Sequence, residues 1–139
     1  MILLDTNVLS ELLRPVPEPG VLGWLARQPA MSIYTTTVTQ AEILLGVAVM
    51  PAGKRRTQLA AAVASIFAED FAERVLPFDG DAAIAFADIV AERRARGSPI
   101  SQFDAMIAAL ARSRGARLAT RNVRDFAHCG IDIVNPWKR

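Results

Sequence analysis

Three acidic residues recur at corresponding places along the chain, each where an apolar run gives way to a helical pattern. Asp5 follows the short apolar run 2–4, Glu42 lies in the first turn after the second predicted strand, and Asp104 lies in the first turn of the penultimate helix. Ligands of an open parallel sheet bind beyond the carboxyl ends of its strands, so acids on these connections can meet in one place. Ionised carboxylates that meet repel one another, and they persist either by taking up protons or by holding a cation.

A cation held by carboxylates alone is a hard one. Oxygen ligands favour Mg²⁺ or Mn²⁺ over zinc. The single histidine, His128, and the single cysteine, Cys129, exclude a multi-histidine or cysteine-based metal cage. A hard divalent ion that activates water at a phosphate performs metal-assisted phosphodiester hydrolysis. Converging acids would therefore predict a Mg²⁺- or Mn²⁺-dependent hydrolase.

A structural role is the alternative for each acid. The segments Thr39-Gln40-Ala41-Glu42 and Ser101-Gln102-Phe103-Asp104 both have the form of a capping box, in which the acid only satisfies the first turn of a helix. The pair Asp5-Thr6 can likewise be only a helix start. Each acid taken singly is more often a cap than a ligand, and the recurrence of all three at one edge is what favours a site.

Residues 120–126 follow the fourth predicted strand and reach the same edge of the sheet with an amide, a carboxylate and two guanidinium groups. Asn122 is either a ligand or a loop-forming residue. Arg121 and Arg124 either neutralise nucleic-acid phosphates or are simply solvated. Aromatic residues make up only 6% of the chain, so nucleic-acid recognition is predicted to depend on shape and charge.

Alternating apolar strands and amphipathic helices must position these residues. The predicted strands span residues 2–4, 32–36, 74–78, 117–120 and 131–134. The predicted helices are one that stops before Pro15, one over 21–27, one opened by Thr39 over 41–49, one over 54–68, one from Asp79 or Asp81 through Glu92, and one that buries Phe103, Met106, Ile107 and Leu110 on one face. This alternation predicts an α/β protein with a mainly parallel, roughly five-stranded sheet covered on both faces.

Composition limits the class of protein further. The chain has 139 residues, 52% of them hydrophobic, which predicts one packed domain over residues 1–139. No apolar run is long enough to span a membrane and one cysteine cannot form an intramolecular disulfide, so we expect a cytoplasmic protein. The net charge of +2 conceals a basic C-terminal third, which suggests a polyanionic partner. The clusters Lys54-Arg55-Arg56 and Arg93-Arg94-Arg96 are predicted to be exposed helix faces, and Trp137 is predicted to pack over the sheet or a partner chain.

Several segments of the chain resemble the PIN-domain ribonucleases, and most closely the VapC-type toxins of type II toxin–antitoxin pairs in their FitB-like branch. The resemblance spans the whole chain and is carried by short motifs in a matching order. They are Met1-Ile2-Leu3-Leu4-Asp5-Thr6-Asn7-Val8, Thr39-x-x-Glu42-Ile43-x-x-Gly46, Arg74-Val75-Leu76-Pro77-Phe78-Asp79, Asp104-Ala105-x-Ile107-Ala108-Ala109, Ala119-Thr120-Arg121-Asn122 before Asp125-Phe126, and Asn135-Pro136-Trp137.

The resemblance implies a three-layer α/β/α sandwich and a Mg²⁺- or Mn²⁺-dependent endoribonuclease. Asp5, Glu42 and Asp104 match the family's core acids, with Asp5 and Asp104 as the expected metal ligands. Asn122 stands where the family often has a fourth acid, which places a tightly held second metal in doubt unless Asp125 or a water compensates. The residues expected to support the acids or the attacking water are Thr6, Thr120 and Asp125, and those expected to bind RNA are Arg121 and Arg124.

The resemblance also implies partners. These are an RNA substrate, a second copy of the chain in a homodimer, and a small antitoxin whose C-terminal segment covers the active-site groove, with the pair binding its own operator DNA. From the residues alone two other hypotheses stay open. One is an RNA- or protein-binding module of the same fold without turnover. The other is a receiver-like phosphoacceptor domain, which is disfavoured because the only lysines, Lys54 and Lys138, lie in no fitting loop.

Overall fold

The computed structural model of the chain describes residues 1–138. In this part of the chain, five parallel strands form one sheet in the order β3-β2-β1-β4-β5. The strands are β1 Ile2–Leu4, β2 Ile33–Thr36, β3 Val75–Leu76, β4 Arg117–Ala119 and β5 Ile133–Val134. The predicted α/β class with a parallel, five-stranded sheet is confirmed.

Helices connect consecutive strands, as parallel pairing requires. Those among residues 1–138 are α1 Thr6–Leu12, α2 Pro19–Ala26, α3 Thr37–Ala48, α4 Lys54–Ser65, α5 Gly80–Ala95 and α6 Gln102–Arg114. A 3₁₀ helix over Ala30–Ser32 precedes β2, a π-helical turn over Ile66–Asp70 follows α4, and a 3₁₀ helix over Val123–Phe126 follows β4. No helix in this part of the chain is long and apolar enough to cross a membrane.

Strand β1 shows why the sheet is covered on both faces. Successive side chains of a strand point to opposite faces. Leu3 packs into the core that contains α5 and α6, whereas Ile2 and Leu4 pack into the core that contains α1 to α4. All three residues are buried, so an unbroken apolar run is what this central position needs. The result is the predicted three-layer α/β/α sandwich.

The strand register brings three connections to one edge of the sheet. Strand β1 lies between β2 and β4, with Leu3 paired to Tyr34 on one side and Leu4 paired to Ala119 on the other. The backbone N–H of Asp5 continues this ladder by donating to the carbonyl of Ala119 at 2.9 Å. The residues that follow β1, β2 and β4 therefore emerge side by side.

Three predicted details of the helices are wrong. Helix α3 begins at Thr37 under the cap of Thr36, whose hydroxyl accepts from the N–H of Thr39, so Thr39 lies inside the helix rather than at its cap. Phe103 is 44% exposed because it lies in the first turn of α6, ahead of residues 105–111 that pack into the core. The predicted helix over 54–68 changes to π-helical geometry at Ile66.

Candidate active site

Asp5 is buried at the junction of β1 and α1. It caps α1, since its Oδ1 accepts from the N–H of Thr6 at 2.8 Å. Its Oδ2 accepts from the hydroxyl of Thr120 at 2.8 Å. The residue is only 4% exposed. Both carboxylate oxygens are thus fixed by donors from two connections, which holds the side chain in one orientation.

Thr120 ties the loop after β4 to Asp5 and α1. Besides donating to Asp5, its hydroxyl oxygen accepts from the backbone N–H of Asn122 at 3.0 Å and from Nδ2 of Asn7 at 3.3 Å. The Oδ1 of Asn7 accepts in turn from the N–H of Arg121 at 3.4 Å. This network holds the loop that carries Asn122 next to Asp5.

Glu42 reaches the same place from α3. Its Oε1 accepts from the hydroxyl of Thr6 at 2.8 Å, and that hydroxyl also lies 3.1 Å from the hydroxyl of Thr39. Because Thr36 caps α3, Glu42 lies beyond the first turn and is not needed as a cap. The capping-box interpretation of Glu42 is therefore wrong, and its carboxylate is held by a threonine from another helix instead.

Asp104 differs from Glu42 because its helix does begin as the motif predicts. Ser101 caps α6, and its hydroxyl accepts from the N–H of Asp104 at 3.3 Å. Asp104 is thus in the first turn of α6, with its side chain half-buried. Here the capping pattern and a possible role in a site coexist.

The three acids and Asn122 line one open pocket of about 400 Å³, which we call the acid pocket. The sequence-based prediction that the connections after β1, β2 and β4 and the start of α6 lie together matches this geometry. The other lining residues are Thr6, Asn7, Ser10, Glu11 and Arg14. Four of these residues lie on α1 and Arg14 follows that helix; apart from Thr6, none of them is part of the predicted site. The spacing of three or four residues among the four on α1, starting next to Asp5, is the signal that identifies one helix face.

Burial raises the pKa values of all three acids, and the charge of a neighbouring carboxylate adds to each increase. Desolvation is the largest cause for Asp5, whose pKa rises from 3.8 to about 6, with further increases from the charges of Asp104 and Glu42, partly offset by the hydrogen bonds from Thr120 and Thr6. Desolvation also raises the pKa of Glu42, against the hydrogen bond from Thr6, and that of Asp104, against the hydroxyl of Ser101. The pocket is therefore a place where negative charge is unfavourable without a cation.

The donor set fits a hard divalent ion. All the acidic groups offer oxygen, and desolvated, mutually repelling carboxylates are stabilised by a cation. Within residues 1–138, no three Asp, Glu, His or Cys side chains are close enough to hold one ion together. A Mg²⁺ ion in a protein is usually held by one or two carboxylates and keeps several waters.

Asp125, Arg121 and Arg124 lie outside the acid pocket, in a neighbouring groove of about 870 Å³. We call it the basic groove; it is lined by Arg121, Asn122, Val123, Arg124, Asp125, Ala127, Asn135, Trp137 and Lys138. Asn122 lines both the groove and the pocket. The charge of Asp125 contributes to the raised pKa of Asp104, so this residue lies near the acids without lining their pocket.

Arg93 is not on an exposed helix face as predicted, although its neighbours Arg94 and Arg96 are exposed. It is 5% exposed. Its Nη1 donates to the carbonyls of Asp125 at 2.9 Å and Ala127 at 3.0 Å, and its Nε donates to the carbonyl of Ser98 at 2.6 Å. Arg93 thus holds the loop after β4 onto the end of α5, a role that a cluster of three arginines within four residues does not reveal.

Comparison with known proteins agrees with this architecture. The PIN domain family matches residues 2–131. VapC ribonuclease Y4jK of Sinorhizobium fredii is 43% identical over 138 residues, covering 99% of both chains. Toxin FitB of Neisseria gonorrhoeae is 38% identical over 137 residues, again covering 99% of both. The solved structure of FitAB bound to the IR36 DNA fragment superposes with a TM-score of 0.93 at 37% identity, over 100% of this chain and 97% of that one.

A parallel α/β/α sandwich with acids gathered at the carboxyl edge of its sheet is the architecture of a PIN domain, and the chain belongs to the PIN domain family. Within that family its relatives are VapC and FitB proteins, so the predicted resemblance is confirmed. Membership of this branch supports a ribonuclease toxin.

Proposed function

We propose that the protein is a Mg²⁺- or Mn²⁺-dependent endoribonuclease that acts in the cytoplasm as the toxin of a toxin–antitoxin pair. The observation that carries this proposal is the acid pocket, in which Asp5, Glu42, Asp104 and Asn122 meet on the sheet edge. Ribonuclease is also the activity in the name of a relative that is 43% identical. Raised pKa values in a cleft favour a functional site over three unrelated helix caps.

In this proposal Asp5 and Asp104 hold the metal ion. When bound, Mg²⁺ or Mn²⁺ supplies positive charge at the scissile phosphate and lowers the pKa of water. Thr120 and the N–H of Thr6 fix the orientation of Asp5 through their hydrogen bonds. Ser101 fixes the first turn of α6 and hence the position of Asp104.

Glu42 and Asn122 complete the chemistry of the pocket. The carboxylate of Glu42 accepts a proton from the attacking water, a role suited to an acid whose pKa is raised by burial. Thr6 orients that carboxylate. The amide of Asn122 contacts the substrate or a bound water, with Asp125 nearby as a further acceptor. Arg121 and Arg124 neutralise backbone phosphates along the basic groove.

The proposal includes partners. We propose a homodimer, an antitoxin segment that covers the acid pocket, and a complex of the pair with operator DNA. The solved structure of FitAB bound to a DNA fragment supports the part of this proposal that concerns a toxin–antitoxin pair on DNA. The openness of the acid pocket to solvent leaves room for a covering segment of another chain.

The decisive experiment measures cleavage of a defined RNA while Mg²⁺ or Mn²⁺ is titrated. We expect D104N to reduce cleavage by about 10³-fold or more, because it removes one of two charged ligands, and we expect excess chelator to abolish it. D88N is the matched control, since Asp88 is an exposed acid on α5.

Undiminished cleavage by D104N, or by the wild type in excess chelator, would refute the proposal. RNA binding without turnover in any divalent ion would support the binding-module alternative instead. Circular dichroism of D104N distinguishes loss of the ligand from loss of the fold.

A further inference from the structure

Trp137 occupies a defined position between two cavities. Its backbone N–H donates to Oδ1 of Asn135 at 3.0 Å in the turn after β5, and its half-buried ring packs against the core that contains α1 to α4. On one side it lines the basic groove. On the other it lines a cavity of about 750 Å³ together with Gly20 and Gly23 of α2. The indole is therefore held by the fold while its surroundings stay open.

Arg121 extends this aromatic surface. Its guanidinium carbon lies 5.2 Å from the centroid of the Trp137 ring, within the range of a cation–π contact. Arg121 is exposed. A planar guanidinium over an indole offers a flat, positively charged surface, which is the chemistry that stacks an unpaired base and attracts the adjoining phosphate.

The charges around Trp137 favour a polyanion. The basic groove carries Arg121, Arg124 and Lys138 against one carboxylate, Asp125. The cavity on the other side carries Arg27 and Lys138 against Glu18. An excess of cations along an open path suits a phosphate backbone.

The basic groove adjoins the acid pocket, because Asn122 lines both. From this adjacency we infer that Trp137 and Arg121 form a stacking platform for an unpaired base of the RNA, near the phosphate at which the attacking water reacts. This inference rests on the proposed function, since it takes the acid pocket to be the place of cleavage. It adds base stacking to recognition that the sequence predicted to depend on shape and charge.

The first test compares substitutions that keep or remove a flat ring. In the D104N background, which prevents cleavage, the affinity for a fluorescent single-stranded RNA of about 15 nucleotides is measured by anisotropy. We expect W137L to weaken binding by about 10-fold or more and W137F by less than about 3-fold, because stacking of one base is lost only in the first. R121K keeps the charge but not the plane, and we expect a loss between those two.

Heparin separates stacking from charge. It is a polyanion without bases, so W137L and the D104N parent should bind it equally. An equal loss of heparin and RNA affinity in W137L would overturn the inference, because the role of Trp137 would then be structural or purely electrostatic.

A second test needs no change at Trp137 and therefore survives any folding defect of W137L. The chain has two tryptophans, so W24F leaves Trp137 as the sole tryptophan reporter. We expect single-stranded RNA to quench its fluorescence in a saturable manner, whereas inorganic polyphosphate at matched charge leaves it unchanged. Absence of RNA quenching, or equal quenching by polyphosphate or by an acidic peptide, would overturn the stacking platform.

The two proposals fail in different ways. If the wild type binds RNA through Trp137 but cleaves nothing in Mg²⁺ or Mn²⁺, the nuclease proposal fails and the stacking platform stands. If the wild type cleaves RNA and W137L shows an unchanged KM and kcat, the platform fails and the nuclease stands. The platform is supported if W137L has a higher KM than the wild type while the KM of W137F stays close to the wild-type value.

Discussion

The protein buries an acidic side chain at Asp5 and a basic side chain at Arg93, and the two have opposite kinds of neighbours. Both residues are at most 5% exposed. The neighbours of Asp5 include two further acids, Asp104 and Glu42, whose charges oppose its ionisation. The neighbours of Arg93 are the carbonyl oxygens of Ser98, Asp125 and Ala127, which all accept hydrogen bonds from its guanidinium.

This difference distinguishes a site from a structural support. Arg93 is satisfied by the folded chain itself, so its burial holds the loop after β4 in place. Asp5 receives two hydrogen bonds but no cationic partner among them, and its raised pKa means that folding opposes its charge. A group that the fold leaves uncompensated can be compensated by a ligand, and a divalent cation is the ligand that carboxylates select.

The largest loss of stability should come from replacing Arg93, whose charge the folded chain compensates with hydrogen bonds. We expect R93M to lower the free energy of unfolding by about 3 kcal/mol, because it leaves buried carbonyls without donors. R93K, which keeps the charge but loses the planar fork, should fall between R93M and the wild type. Urea denaturation measures this loss of free energy, provided that the slope of the free energy against urea concentration is the same in the variants and the wild type.

R94M is the matched control, since Arg94 is the exposed neighbour of Arg93 on the same helix. Its stability should stay within about 0.5 kcal/mol of the wild type. If R93M were as stable as R94M, the guanidinium of Arg93 would not be needed to hold the loop, and Arg93 would not be a structural support.

Arg93 also shows where sequence analysis reaches its limit. The strands, their mainly parallel arrangement and the three acids follow from apolar runs and from the position of each acid after a strand, because these signals are local. Arg93 belongs to a cluster of three arginines within four residues, a pattern that predicts an exposed helix face. Its burial depends on the carbonyls of residues 125 and 127, which lie more than thirty residues away in sequence, and no local pattern announces such a contact.

The starts of α3 and α6 also depend on residues outside the local motif. Thr39-x-x-Glu42 and Ser101-x-x-Asp104 have the same form, yet Ser101 is a cap and Thr39 is not. The preceding threonines decide this, since Thr36 ends β2 and caps α3 before Thr39 is reached. The same motif therefore places Asp104 in the first turn of α6 but Glu42 one turn further along α3. The hydrogen bond from Thr6 to Glu42 depends on the packing of α1 against α3.

The next largest effect is a pH dependence of the free energy of unfolding that Asp5 causes. Its pKa is about 6 in the folded protein against 3.8 ordinarily. Between these values the unfolded chain releases a proton that the folded chain keeps, so stability falls as pH rises from about 4 to about 6 and is level above. A difference of about two pKa units corresponds to at most about 3 kcal/mol. Denaturation in chelator should show this fall in the wild type, reduced in D5N.

A divalent ion should reverse that loss where the carboxylates are ionised. We expect Mg²⁺ to raise the Tm of the wild type at pH 7.5, to have little effect at pH 4.5, and to have little effect on D5N at either pH. D79N is an informative control: Asp79 also caps a helix, but its pKa is lowered by the N–H of Ala82 and by Arg114. The stability that Asp79 contributes is lost as pH falls, which is the opposite sign. Equal Mg²⁺ effects in the wild type and D5N would show that Asp5 is not a ligand.

The smallest expected effect lies within the acid pocket, at the hydroxyl of Thr6 that donates to Glu42. T6V removes this donor with little change of shape, and we expect a stability loss of about 1 kcal/mol. Because the hydrogen bond lowers the pKa of Glu42, its removal should shift the acidic limb of the pH–rate profile for RNA cleavage to higher pH. T6S keeps the hydroxyl and should retain the wild-type profile. A profile in T6V that matches T6S would mean that Glu42 does not exchange a proton during cleavage, and its carboxylate would then act on the substrate through charge alone.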